Sequence, residues 1–103
     1  MAFSELSSYH ENVVKIKVYC SENHHSLKNP PDHVLFVFNI FFGRYKKKMS
    51  QKELAQKSHV SIVVIQKICQ FDYNPRQSEQ IALTKALDVR LANLYRTVDL
   101  HKM

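Results

Sequence analysis

The chain has 103 residues, enough for one compact domain and too few for two of ordinary size. Hydrophobic residues make up 45% of it, which argues against disorder throughout. The net charge of +6 is uneven: residues 1–38 carry three lysines against four acids, residues 39–103 twelve lysines and arginines against five, so a polyanion would be drawn to the last two-thirds.

Taken in chain order, residues 9–20 (YHENVVKIKVYC) alternate through Val14, Ile16, Val18 and Cys20, with Lys15, Lys17 and Tyr19 between them. That period of two predicts a half-buried strand, whose edge groups would need a partner in the fold, in a second copy or in another protein. Residues 21–33 (SENHHSLKNPPDH) collect Ser, Asn, His, Asp and a Pro-Pro pair and read as a linker. The expected division is an N-terminal arm and linker over 1–33 and a helical domain over 34–103. The longest apolar run, VLFVFNIFF at 34–42, is far short of the roughly 20 residues a membrane-spanning helix needs, and it contains Asn39. No signal-peptide pattern opens the chain, so a cytoplasmic protein is expected, or a nuclear and cytoplasmic one in a eukaryote. Cys69 reads as a small buried hydrophobe and Cys20 lies far from it, which fits a reducing compartment.

From residue 34 the period is helical. Phe36, Val37 and Ile40 supply the inner face of a first helix running to about Lys47. Phe38, Phe41 and Phe42 fall on its other side, and a patch that large seldom stays wet. Either the 9–20 segment folds over it, or a second copy or foreign protein does. Ser50-Gln51-Lys52-Glu53 is a capping box and starts a second helix. After a break at Ser58-His59-Val60, Ser61 caps a third helix with Ile65, Ile68 and Cys69 inward. Asn74-Pro75 punctuates the connection to a fourth helix over 77–87, and Val89, Leu91 and Leu94 mark a short fifth.

This series resembles the lambda-repressor/Cro-type (XRE) helix-turn-helix superfamily from about Ile40 to Tyr95. The residues that carry the likeness are Arg44, the MSQKELA run at 49–55, Val60-Ser61, Ile65, Ile68, Asn74-Pro75, Ala86-Leu87-Asp88-Val89 and Leu91-Ala92-Asn93-Leu94. The resemblance implies an all-α, five-helix lambda-repressor-like domain, here preceded by a β-strand-like arm. Phe42-Gly43-Arg44 followed by Lys48 to Ala55 is also similar to multiprotein bridging factor. That narrower likeness implies a transcriptional coactivator, or a factor on the small ribosomal subunit. Against it, Val60-Ser61, Asn74-Pro75 and Leu94 look like the wider superfamily, and the basic C-terminal extension is reduced to RTVDLHKM.

The superfamily usually places glycine at three helix ends that here hold His59, Phe71 and Asp88. Histidine and aspartate tolerate positive φ but phenylalanine does so poorly, which predicts an altered turn at 71–73. Gly43, the chain's single glycine, falls inside the first helix at a cost of about 1 kcal/mol relative to alanine, which predicts a close approach to its backbone.

As a reader of nucleic acid, the third helix would present Ser61, Ile62, Val63, Gln66, Lys67 and Gln70. Glutamine suits adenine and lysine suits guanine, whereas valine offers only contact with a thymine methyl. Phosphates would be met by Arg44, Lys46, Lys47, Lys48, Gln51, Lys52 and Arg76. Two readings follow. One is a DNA-binding transcription regulator with modest A·T preference; the other is a docking module whose apolar turn packs on protein while its cations meet DNA or ribosomal RNA. The spacing of Cys20, His24, His25 and His33 fits no closed zinc site. No catalytic constellation is present, so neither an enzyme, a cofactor nor a small-molecule substrate is expected.

Overall fold

The computed structural model describes residues 9–103, so the first eight residues of the expected arm lie outside the described residues. Among the described residues five α-helices follow one another: α1 (Tyr9–Glu22), α2 (Asp32–Lys47), α3 (Gln51–Ser58), α4 (Ile62–Cys69) and α5 (Gln77–Leu87). Two 3-10 helices close the chain, η1 (Leu91–Tyr95) and η2 (Leu100–Lys102). No strand occurs among the described residues, so the all-α class holds. The fifth element of the expected domain is η1, wound as a 3-10 helix, and no helix among the described residues is long and apolar enough to cross a membrane.

The strand expected over 9–20 is corrected to a helix. The same letters carry two periods, and the buried set Val13, Ile16 and Cys20 follows the helical one, while Val14 and Val18 face solvent at 42% and 48% exposure. A helix satisfies its own backbone, whereas a lone strand would leave its edge groups unpaired. The packing of α2 supplies the second reason. Eight successive residues, Val34 to Phe41, are buried, so this helix is covered on all sides and needs an element over its far face. Helix α1 provides it: Tyr9 lies 5.0 Å from Phe41 and 4.4 Å from Tyr45, ring centre to ring centre. Phe38 and Phe41 are therefore core residues, and only Phe42 is half-buried, stacked on Phe38 with Lys46 Nζ 5.6 Å from its ring centre. Of the covers expected for this patch, the 9–20 segment is the one observed, and it leaves Phe38 and Phe41 unavailable to a second copy or a foreign protein.

Around α2 are arranged α1, α4, α5 and η1, and α3 packs on α4 and α5. Val13, Ile16 and Cys20 belong to the same hydrophobic cluster as Leu54, Ile65, Leu83 and Leu94. Asn39, the polar break in the apolar run, is buried and useful. Its amide donates to the carbonyls of Leu35, Leu94 and Arg96, pinning η1 to α2. The C-terminal tail returns to the linker through Leu100 N–H and the Leu27 carbonyl, 2.8 Å apart. Cys20 is fully buried and Cys69 partly so, and neither forms a disulfide.

Each helix ends on a left-handed residue that is not glycine: His24, Lys48, His59, Phe71 and Asp88, with φ from 53° to 63°. The altered turn expected at 71–73 does not occur. Phe71 keeps the positive φ, its N–H donates to the Ile68 carbonyl, and Asp72 N–H reaches the Lys67 carbonyl at 2.9 Å. This is the Schellman pattern that glycine normally serves. What offsets the strain is a ring stack: Phe71 lies on Tyr19 of α1 at 3.8 Å with the planes 4° apart.

Candidate nucleic-acid interface

Helix α3 begins at a complete capping box. Ser50 Oγ accepts from Glu53 N–H at 3.1 Å, and Glu53 Oε1 accepts from Ser50 N–H at 3.2 Å. Its last turn gives way at His59, whose N–H bonds the Ala55 carbonyl. Val60 is then 8% exposed, plugged into the core, and its N–H is taken by Ser58 Oγ. Ser61 Oγ accepts from Val63 N–H at 3.2 Å and so starts α4 after a three-residue corner.

Burial divides α4 cleanly. Ile65 and Ile68 are in the core at 1% and 2% exposure, and Val64 packs against it. Ser61, Ile62, Val63, Gln66, Lys67 and Gln70 are exposed, with Val63 at 53% and Ile62 at 36%. All six side chains expected to read bases thus share the solvent face of one short helix. The apolar first turn keeps two of its three side chains in water rather than folding them away.

The expected phosphate contacts separate into groups. Lys46, Lys47 and Lys48 are exposed at the end of α2, and Lys52 is exposed one corner later in the first turn of α3, beside half-buried Gln51. These cations form a rim at the α2–α3 corner, beside the positive end of the α3 dipole. Arg44 differs: it is 4% exposed, with Nη1 3.5 Å from the Met49 carbonyl, and serves the fold beneath that rim. Arg76 is exposed ahead of α5, where its backbone N–H donates to Glu79 Oε1 at 2.8 Å. That hydrogen bond, above all, holds the Glu79 carboxyl below its usual range. The same carboxylate accepts from Tyr73 Oη at 2.7 Å and raises the phenol's pKa.

Sequence reasoning missed the fastening at the far end of α4. Besides stacking on Phe71, Tyr19 places its hydroxyl 3.1 Å from His33 Nε2, and the His33 ring stands edge-on to Phe71. Burial, followed by the nearby His25, lowers the His33 pKa against a smaller opposing pull from Asp32. The position of Phe71 at a glycine site was visible as an anomaly, but its partner was hidden by the strand reading of α1.

A short helix capped by Ser50, a tight corner around Val60 and a second helix with one face exposed define a helix-turn-helix. A helix-turn-helix family model matches residues 44–94. Among curated proteins and among solved structures, none matches the chain.

Proposed function

We propose that the protein binds duplex DNA as a transcription regulator, with α4 in the major groove. The observation that carries this reading is the exposed face of α4, where Gln66, Lys67 and Gln70 stand clear of the core while Ile65 and Ile68 anchor the helix. Gln66 and Gln70 are suited to adenine edges and Lys67 to guanine. Ile62 and Val63 can contact only methyl groups, so the first turn favours thymine without specifying a sequence by hydrogen bonds. The expected reader is tolerant, with an A·T preference. Lys46, Lys47, Lys48 and Lys52 neutralise phosphates and give most of the affinity.

Anisotropy titrations of A·T-rich and G·C-rich duplexes across a salt series test this. If all four lysines contact phosphates, log K falls against log salt with a slope near −3.6, at about 0.9 per contact on B-DNA. Lys47→Ala should reduce that slope by about 0.9 and weaken both duplexes alike. Lys67→Ala should weaken the G·C-rich duplex more than the A·T-rich one and so widen the difference between them, by up to the roughly 1–3 kcal/mol of one bidentate pair. Absence of duplex binding at low salt, together with co-sedimentation on small ribosomal subunits that Lys47→Glu abolishes, would replace this reading with the RNA-docking one.

A further inference from the structure

A cleft of about 690 Å³ opens behind α4, between its last turn, the loop that follows, the start of α2 and the end of η1. Its apolar walls include four aromatic residues, Phe36, Phe71, Tyr73 and Tyr95. Two carboxylates, Asp32 and Asp72, stand at the exposed rim, and no lysine or arginine lines it. In a chain of net charge +6, this lining holds two carboxylates, and its one basic side chain is His33, whose pKa is lowered by burial and then by His25. We propose that the cleft is a binding site for a small organic cation, an aromatic or aliphatic ammonium compound.

The chemistry selects that class. The volume falls within the roughly 300–1,000 Å³ of small-molecule sites, so the cleft can hold a whole compound of modest size. Aromatic faces carry negative quadrupole density and attract an ammonium group, most strongly where water is thinned. Asp32 supplies a formal charge that reaches inward: together with burial, which is the larger cause, it raises the pKa of the Tyr95 hydroxyl. The positive end of α2 does not favour an anion here, because Asp32 already occupies its first turn. An anionic ligand would face both carboxylates with no lysine or arginine in the lining. A neutral ligand could at most donate hydrogen bonds to the carboxylates and would gain none of the charge attraction open to a cation. The Tyr19–Phe71 stack and the Schellman bonds hold the Phe71 wall in place before any ligand arrives.

The inference does not depend on DNA binding, and its test uses the full chain alone. Calorimetric titrations with tryptamine and with benzyltrimethylammonium are compared with indole-3-propionate, which places an anion on the indole ring. At least one cation should bind with single-site stoichiometry, and at least tenfold more tightly than indole-3-propionate. The paired substitution Asp32→Asn and Asp72→Asn should weaken the cation about tenfold or more while leaving the thermal transition within a few degrees, since both carboxylates are exposed. Tyr95→Leu, which keeps the bulk and removes the ring face, should weaken it as well. The proposal is overturned if neither cation binds, if the anion binds equally well, or if the paired substitution leaves cation affinity unchanged.

Discussion

Gly43→Ala should stabilise the protein, although a lone glycine inside a helix usually signals that something lies against it. The backbone at Gly43 does not have positive φ, so no left-handed conformation requires glycine there. A methyl group built at this position meets Leu87 Cδ1 at 3.5 Å, Cδ2 at 3.6 Å and Cγ at 3.9 Å. Something does approach, as the sequence suggests, but it is the end of a side chain at ordinary van der Waals distance. Beside it lies a groove of about 110 Å³ bordered by Phe42, Leu87 and Leu94, which leaves room for small adjustments. The helix-propensity gain is about 0.8–1.0 kcal/mol. Half-burial of one methyl adds roughly 0.4 kcal/mol, taking half of the usual ~0.8 per methylene. A net gain of about 1 kcal/mol corresponds to a rise in Tm of about 4–8 °C for a domain of this size. Thermal unfolding followed by far-UV circular dichroism, with urea denaturation as a check, measures it. A fall in Tm would mean instead that α2 and α5 approach more closely than Leu87 can accommodate.

Arg44→Ala should cost about 2–3 kcal/mol of stability by leaving the Met49 carbonyl without its cationic partner and opening a void at a site 4% exposed. Lys47→Ala, on the exposed rim, should change stability by less than about 0.5 kcal/mol, and urea denaturation separates the two. Tyr19→Leu removes the stack on Phe71 while keeping the bulk; it should destabilise the chain by about 1 kcal/mol and loosen residues 69–73 in amide exchange. The His33 pKa is lowered in the folded state, so the unfolded chain takes up its proton first as pH falls. Its contribution to stability is complete above the unfolded value near 6.5 and is lost progressively below it, down through the folded pKa. In pH-dependent urea midpoints, His33→Gln should flatten the slope over that interval, and an unchanged slope would contradict the assignment.

The helix-turn-helix was legible in the sequence because its boundaries are written in local chemistry. The Ser50–Glu53 box and the Ser61 cap are satisfied within four residues of chain, and the inward spacing of Ile65 and Ile68 leaves one register for α4. Helix α1 was not legible, because Val14-Ile16-Val18-Cys20 and Val13-Ile16-Cys20 coexist in one string and only the demand of α2 for a cover chooses between them. Phe71 was misread for a related reason: its left-handed backbone is strained in isolation and becomes tolerable only against Tyr19, a residue of the misassigned segment. Among the candidate site residues, the exposed ones followed from helical periodicity. The burial of Arg44 did not, since a basic residue ahead of three lysines looks like part of the same charged run until the Met49 carbonyl is seen to face it.

In the proposed function, one outward face of α4, with the lysine rim at the α2–α3 corner, engages nucleic acid. Amide chemical-shift mapping of the full chain with a duplex of mixed sequence tests it most directly. The prediction is a contiguous set of shifts over Ser61 to Gln70 and Lys46 to Lys52, with α1 and η1 left quiet. Shifts centred on α1 or η1, with α4 unmoved at saturation, would contradict it.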